Sequence, residues 1–191
     1  GKAGSGKDTL ADYLVSNYGY HKYSLSSPIK KLLNERFGWT DAMWNDRAWK
    51  EAKVQAAGYG CMRDENGWIK DINLFSPRSW AQWLGTEAGR MVHGDDCWVN
   101  MMEKEWRTLI WIRHAKVYCS PTPLDSPMPC MVVPDIRFNN EAIRIQQLGG
   151  VILNVIRDDV QAVNAHVTEN GISSYLINVQ VKNNAFIDDY I

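Results

Sequence analysis

The 191-residue chain has the length of one ordinary globular domain, enough to bury a core around a single sheet. Its 21 Lys and Arg residues nearly balance 22 Asp and Glu residues, and the net charge of -1 excludes a whole-molecule field that would hold nucleic acid or an anionic membrane. No apolar run approaches the roughly 18 residues of a membrane span, and no basic-then-apolar leader is visible, so we expect a soluble, cytoplasmic protein. The four cysteines lack C-x-x-C spacing and are expected to be reduced thiols; a homodimer is one option for the oligomeric state.

Helical periodicity, Ser-Pro starts and glycine stops define most of the predicted elements. In chain order, the pattern predicts a helix at Lys7–Tyr18, a strand at Tyr20–Leu25, a helix from Ser27 to about Phe37, an irregular segment at 38–74 and a helix from Ser76 to about Met91. The second half is predicted to contain a helix at Trp98–Trp106, an ambiguous stretch at 107–118, a proline-rich connection at 119–130, a strand at Met131–Val133, a helix at Asn140–Leu148, a strand at Val151–Ile156 and a last strand at Tyr175–Val181. Strands that alternate with helices predict an α/β fold with a mostly parallel sheet and helices on both faces.

A glycine-rich loop with the spacing Gly1-x-x-x-x-Gly6-Lys7 opens the sequence. In such a loop, backbone N–H groups wrap a phosphate, the lysine reaches the β- and γ-phosphates, and the helix N-terminus adds positive potential. The hydroxyl that usually ligates Mg²⁺ should follow the lysine, but Asp8 stands there and Thr9 comes one place later. Because a buried strand must deliver the loop, we expect a first strand that is missing from the numbered chain. The alternative is a flexible glycine turn that caps a helix.

The helix that begins at Ser76 carries a polar face. At 100° per residue, that face holds four residues: Arg78, Gln82, Gly85 and Gly89. Thr86 and Arg90 lie on its flank. Each glycine lowers helix propensity by about 1 kcal/mol relative to Ala, a cost that is easier to understand if a ligand approaches the backbone. Close packing against another helix, with both arginines in solvent, is the alternative.

Charged residues directly follow two of the predicted strands. Asp135 and Arg137 come after the Met131–Val133 strand, at the carboxyl edge where open α/β sheets bind ligands. A salt bridge that caps a helix would also explain them. Arg157 ends the next strand, where it could contact ATP phosphates or adenine, or be a surface arginine.

Several segments together resemble the phage deoxynucleoside monophosphate kinases. The string Ser5-Gly6-Lys7-Asp8-Thr9 is similar to the phosphate loop of that family, and also to that of phosphomevalonate kinases. Further matching segments follow in the family's order: Arg78-x-x-x-Gln82-x-x-Gly85-Thr86-Glu87-x-x-Arg90 with Trp98, then Asp135-x-Arg137-Phe138-x-Asn140-Glu141 with Gly149-Gly150 and Arg157, and then His166-x-Thr168-Glu169. The resemblance covers nearly the whole chain and is weakest at 38–74 and 107–130.

The resemblance implies a three-layer fold like that of P-loop nucleoside monophosphate kinases. It implies one domain, 1–191, with an acceptor-binding region at about 38–106 and a lid region at about 157–174. It also implies ATP and Mg²⁺ as cofactors, a deoxynucleoside monophosphate as the small-molecule substrate, and the host cytoplasm as location for a phage-encoded enzyme.

The resemblance also assigns residue roles. Residues expected to contact ATP are Gly1, Gly4, Ser5, Gly6, Lys7, Asp8, Thr9 and, near adenine, Asn183. Those expected around Mg²⁺ are Asp8, Thr9 and Asp135. Those expected to hold the acceptor are Arg78, Gln82, Arg90, Trp98 and Arg137. Those expected to act in catalysis are Lys7, Arg137 and Arg157. For His166 and Glu169, a lid hinge or helix cap is as consistent with the sequence as catalysis.

Two other functions remain open at this point. One is a P-loop kinase with a hydroxyl acceptor, such as dephospho-coenzyme A, or a phosphomevalonate-type kinase; for a hydroxyl acceptor, Asp8 or Asp135 could serve as base. The other is a nucleotide-binding switch that hydrolyses ATP slowly and acts through a partner. The arginines at 78 and 90 favour the monophosphate acceptor, whose attacking oxygen is already anionic.

Overall fold

A computed structural model describes residues 4–52, 62–63, 69–70, 76–119, 128–157 and 171–184. The chain divides into two compact units. The first unit comprises Gly1–Leu25 and Val99–Ile191, and the second unit comprises Ser26–Trp98. The predicted single domain, with its acceptor-binding and lid regions, stays a prediction.

The described part of the chain contains helices of very different lengths and short strands. The helices are α1 (Lys7–Tyr18), α2 (Ser27–Phe37), α3 (Arg47–Glu51), α4 (Pro77–Trp83), a π-helix (Leu84–Arg90), α5 (Met91–His93), α6 (Cys97–Cys119) and α7 (Asn139–Gln147), with 3₁₀ turns at Met43–Asn45 and Ser174–Leu176. The strands are β1 (His21–Lys22), β2 (Met62–Arg63), β3 (Ile69–Lys70), β4 (Met131–Val132), β5 (Leu153–Ile156) and β6 (Val179–Lys182).

Two parallel strand pairs organise the first unit. β1 pairs with β4, with His21 opposite Met131, and β5 pairs with β6 from Leu153 opposite Val179 to Ile156 opposite Lys182. Because the strands of each pair run parallel, the carboxyl end of each strand lies beside that of its partner. The predicted α/β class with parallel pairing is confirmed at this level.

The core of the first unit surrounds β5. Ala142, Ile152 and Leu176 form one buried cluster, which places α7 against the start of β5 and the turn before β6. The first unit also contains a cavity of about 590 Å³. Its lining includes residues of β4, residues of β5 and the apolar face of α1. Among the described residues, β4 and β5 each have one strand partner.

Aromatic packing builds the second unit. Ile29 and Leu33 of α2 pack with Trp44 and Trp80 in a buried cluster. Partly buried neighbours surround it: Phe37, Trp39, Trp49, Ala81, Trp83, Leu84 and Trp98. The segment 38–74 that lacked sequence periodicity therefore contributes tryptophans to a core, and its described part also contains α3 and the antiparallel pair β2–β3.

Several predicted boundaries are confirmed. α1 begins after Gly6 and ends at Gly19, whose N–H donates to the carbonyl of Val15 at 3.1 Å. α2 matches its predicted span, and α7 ends within one residue of its predicted stop before the Gly149-Gly150 pair. Local capping chemistry sets these ends, so the sequence predicts them well.

Five other predictions are wrong in part. The predicted strand at 20–25 shortens to two residues, as does the one at 131–133. The predicted strand at 175–181 begins as a 3₁₀ turn, because Leu176 enters the core there, and β6 starts only at Val179. The helix predicted at 98–106 runs through the ambiguous stretch to Cys119, and the helix predicted at 76–91 contains a π-helical turn.

Within the described residues, Cys97 and Cys130 are free thiols, and the reduced state of all four cysteines stays a prediction. No helix there combines the length and apolar character that crossing a membrane requires. The predicted connection at 119–130 lies mostly outside the described residues.

Candidate active site

The glycine loop leads into the N-terminus of α1. Gly6 is the N-cap residue, with φ of 91°, a left-handed conformation that a residue with a side chain rarely adopts. Ser5 is 1% exposed, and its Oγ has no hydrogen-bond partner among the described residues. A buried hydroxyl without a partner is costly, and the N-terminus of a 12-residue helix favours an anion. Ser5, Gly6 and α1 therefore fit a phosphate group.

Asn183 holds this loop from the other end of the chain. Its side-chain amide donates to the carbonyl of Ser5 at 2.9 Å, and its backbone N–H donates to the carbonyl of Ile156 at 2.7 Å. A Cβ on Gly6 would overlap with the Asn183 amide. These contacts fix the loop backbone to the carboxyl ends of β5 and β6. Arg157 directly follows β5 at the same end.

Lys7, Asp8 and Thr9 form the first turn of α1. The Lys7 ammonium lies 3.1 Å from the Asp8 carboxylate, and both Asp8 and Thr9 are exposed. This ion pair joins neighbouring residues at the surface, where such pairs contribute little to stability. The lysine can therefore exchange Asp8 for a more highly charged phosphate at little cost.

Asp135 joins the carboxyl ends of β1 and β4. Its carboxylate accepts hydrogen bonds from Ser24 Oγ at 2.5 Å and from the backbone N–H of Leu25 at 2.9 Å. These bonds fix the chain between β1 and α2. A carboxylate has about four lone-pair sites, so these two hydrogen bonds alone do not fill its acceptor capacity.

Arg137 follows Asp135 in the connection to α7. Its backbone N–H donates to Glu141 Oε2 at 2.8 Å, and the N–H of Phe138 donates to the same oxygen at 3.1 Å. Glu141 is 3% exposed and stands at the N3 position of α7. The glutamate thus caps the helix and fixes the backbone that carries Arg137.

Three of the predicted acceptor residues, Arg78, Arg90 and Trp98, make polar contacts within the second unit. Arg78 Nε lies 2.6 Å from Glu51 Oε1, so a carboxylate neighbours this guanidinium. Arg90 is 7% exposed and donates to the carbonyl of Asp95 at 2.8 Å. Gln82 lies on α4, and Trp98 Nε1 donates to the carbonyl of Gly85 at 2.8 Å. Arg137 belongs to the first unit.

The glycines of the polar face have a different role from the one expected. A Cβ on Gly89 would overlap with the Trp98 indole, and one on Gly85 would lie 3.0 Å from Ile29 Cδ1. Side chains of the protein therefore occupy the space beside both glycines, which confirms the alternative of close packing. The second half of that alternative, with both arginines in solvent, is wrong, because Arg90 is buried. The predicted polar face is also wrong, because it assumed an α-helical rotation of 100° per residue, whereas the segment from Leu84 to Arg90 is π-helical.

Three predicted residues, Gly1, His166 and Glu169, lie outside the described residues. Within the described ranges, no group of three or more His, Cys, Asp or Glu side chains forms a preformed metal site. Mg²⁺ usually binds through one or two carboxylates, waters and substrate phosphates, so its binding does not need such a group.

A sequence model of the deoxynucleotide monophosphate kinase family matches residues 1–76 and 68–191, which together span the whole chain. The chain belongs to this family. The family resemblance inferred from the motifs is confirmed, and so is the interpretation of the chain as a nucleoside monophosphate kinase.

Two viral relatives are similar over most of their length. A protein of Acanthamoeba polyphaga mimivirus named "Putative deoxynucleotide monophosphate kinase" is 27% identical over 193 residues, which cover 100% of this chain and 89% of the relative. The deoxynucleotide monophosphate kinase of Enterobacteria phage T4 is 22% identical over 209 residues, which cover 88% of this chain and 83% of the relative.

The sequence analysis did not predict that Glu141 caps α7 in this member of the deoxynucleotide monophosphate kinase family. The residue was part of the matched motif but received no role. A local signal existed, because Glu141 stands three residues after the N-cap residue Phe138, a position from which a glutamate side chain can accept the N-cap backbone N–H. The contact of Asn183 with Ser5 had no local signal, since 178 positions separate the two residues.

Proposed function

We propose that this chain transfers the γ-phosphate of ATP to a deoxynucleoside monophosphate. The observation that carries the proposal is the glycine loop, in which the buried Ser5 hydroxyl, Gly6 and Lys7 meet at the N-terminus of α1. Membership of the deoxynucleotide monophosphate kinase family supports the acceptor class.

The loop is the donor site in this proposal. The backbone of Gly4–Gly6 and the Ser5 hydroxyl hold the phosphates of ATP, and Lys7 neutralises the charge between the β- and γ-phosphates. Asn183 keeps the loop in place, and Arg157 directly follows β5, at the same strand edge. These groups bind and orient the donor, which is most of what a protein contributes to phosphoryl transfer.

Oxygen ligands suit Mg²⁺, and the chain offers them at Asp8, Thr9 and Asp135. When bound, the ion would neutralise charge on the phosphates of ATP. Asp135, which already accepts two hydrogen bonds, would act through a water, while Asp8 would leave its pairing with Lys7.

Arginines hold the acceptor in this proposal. Arg137 binds the monophosphate and stabilises the transferred group, and Arg78, Gln82 and Arg90 line the acceptor region. An acceptor phosphate oxygen attacks the γ-phosphorus, the bond from that phosphorus to the β,γ-bridging oxygen breaks, and ADP leaves. Because the attacking oxygen is already anionic, no general base is required.

The finer architecture is a three-layer P-loop fold with one parallel sheet. The parallel pairs β1–β4 and β5–β6, whose strands are separated along the chain by helices, support this architecture.

The test is a panel of deoxy- and ribonucleoside monophosphates, each assayed with Mg-ATP for the diphosphate product. We expect at least one deoxynucleotide to be phosphorylated, and Lys7→Ala to lower its turnover by about 10²- to 10³-fold, because a positive charge at the transferred group is lost. Lys22→Ala is the matched control, since Lys22 pairs with Asp12 on the surface. ATP hydrolysis that no monophosphate stimulates would favour a nucleotide switch instead.

A further inference from the structure

The most unusual backbone of the described chain lies in the acceptor region of the second unit. Between α4 and α5, Leu84–Arg90 forms a π-helix, in which the N–H of Met91 donates to the carbonyl of Thr86 five residues earlier. π-Helical turns are rare, pack less favourably than α-helical ones and occur frequently at functional sites. Something outside the turn must therefore stabilise it.

Trp98 provides that contact. Its indole Nε1 donates to the carbonyl of Gly85 at 2.8 Å, at the start of the π-helix, and its ring lies directly against Gly89 near the end. Gly89 is buried, and a Cβ there would also approach the carbonyl of Leu84 to 2.8 Å. One rigid side chain thus contacts both ends of the turn, and it can do so only because residue 89 lacks a side chain.

The turn decides which way its polar residues point. An α-helix from α4 through α5 would place Arg90 at a different angle to Arg78 and Gln82 than the π-helix does, because the extra residue in the turn rotates everything after it. Arg90 is buried and bonded to the Asp95 carbonyl, so its own position depends on this geometry.

We propose that Trp98 is a positioning residue: it stabilises the π-helical turn and thereby sets the angle between Arg78 and Gln82 on α4 and the residues that follow. The proposal rests on the proposed function, because those residues are the ones assigned to the acceptor. Trp98 then acts through the turn, and its ring does not need to contact the nucleobase.

Two pairs of matched variants test the proposal. Trp98→Phe keeps an aromatic ring but loses the N–H donor, and Trp83→Phe makes the same change in a tryptophan that packs against the same core cluster. Gly89→Ala would push the indole away, whereas Gly85→Ala would meet only the terminal methyl of Ile29, at the end of a flexible side chain.

Steady-state kinetics with acceptor and ATP varied separately give the main measurement. We expect Trp98→Phe and Gly89→Ala to raise the KM of the acceptor by about 10- to 100-fold, since small displacements of positioning residues have effects of that size. The KM of ATP should change less than about twofold, and both control variants should match the parent within about threefold. Equal KM increases for ATP and acceptor, or equal effects of Trp98→Phe and Trp83→Phe, would overturn the proposal.

A second measurement needs no substrate. Hydrogen exchange of the Trp98 indole N–H, followed by NMR, should be slow in the parent and in Gly85→Ala, and fast in Gly89→Ala. Fast exchange in the parent would contradict the positioning role even if the kinase activity is confirmed. Slow exchange in a parent that phosphorylates no monophosphate would leave the turn intact and refute the proposed function.

Discussion

Asn183 and Ser5 lie 178 positions apart, yet a hydrogen bond joins them at the glycine loop, the proposed phosphate site. The glycines of the loop contribute no side chains, and Ser5 Oγ has no partner among the described residues. A donor from a neighbouring strand end therefore limits the conformations of the loop before any phosphate binds. Preorganisation of this kind lowers the entropy cost of binding.

We predict that Asn183→Ala raises the KM of ATP by about tenfold, the effect of losing roughly one hydrogen bond and some preorganisation. Asn183→Asp should have at least as large an effect, because a carboxylate cannot donate to the Ser5 carbonyl and repels phosphate. Gln180→Ala on the exposed side of β6 is the control. A KM of ATP that is unchanged in Asn183→Ala would show that the loop holds its conformation without this contact. The KM of the acceptor should stay near that of the parent in all three variants.

At the scale of single elements, α1, α2 and α7 could be predicted from the sequence, because glycine stops and the Ser-Pro start are local signals. The approximate positions of the strands could be predicted, but their lengths could not. β1 and β4 pair over only two residues, and strand pairing depends on tertiary structure. The π-helix could not be predicted at all. It depends on Trp98, which lies 13 residues beyond its bonding partner Gly85.

The same distinction applies to the candidate site. Lys7 and its loop can be predicted as site candidates from their spacing alone, and Asp135 and Arg137 from their position after a strand. The hydrogen-bond partners of these residues cannot be predicted in this way. Ser24 and Leu25 meet Asp135 only because β1 and β4 are parallel neighbours.

The start of α7 offers an element-scale prediction. Glu141→Ala removes the buried acceptor of the Arg137 and Phe138 N–H groups, so we expect the free energy of unfolding to fall by about 1–3 kcal/mol. The KM of the acceptor should also rise, because the backbone that carries Arg137 is no longer fixed. Chemical denaturation and kinetics check both effects, with Gln147→Ala at the exposed end of α7 as the control. A stability loss with unchanged acceptor kinetics would separate the cap from the site.

At the scale of the whole molecule, the division into two units has no clear sequence signal. The second unit starts at Ser26, directly before α2, and ends at Trp98, inside α6. The short polar segments at these boundaries, Ser26-Ser27-Pro28 and Gly94-Asp95-Asp96, also have the composition of ordinary helix starts. The sequence alone therefore favours an interpretation as one domain.

The net charge of -1 also has its meaning at this scale. Because the net charge is small, the electrostatic interactions that matter are local ones. One such interaction in the first unit is the ion-pair cluster around Glu103 of α6. Its carboxylate, only 9% exposed, accepts from Arg107 at 2.6 Å and from Arg144 Nε of α7 at 2.7 Å. The hydrogen bonds from Arg107 and then Arg144 hold the pKa of Glu103 below its usual value, although burial alone would raise it.

This cluster makes the stability of the protein depend on pH. Because the pKa of Glu103 is lower in the folded than in the unfolded chain, the cluster stabilises the fold fully above the ordinary glutamate pKa of 4.5, and its contribution is lost as the pH falls below 4.5 through the lowered value. We predict that Glu103→Gln lowers the free energy of unfolding by about 1–2 kcal/mol at pH 7, a modest value because both arginines are partly exposed. The difference from the parent should shrink steadily between pH 5 and pH 3 (about the range in which the unfolded chain takes up the proton). Denaturant unfolding at a series of pH values measures it, and Glu105→Gln, from a half-exposed pair with His21, should show a smaller loss at pH 7. A difference that is as large at pH 3 as at pH 7 would mean that Glu103 stabilises the fold by packing and not by its charge.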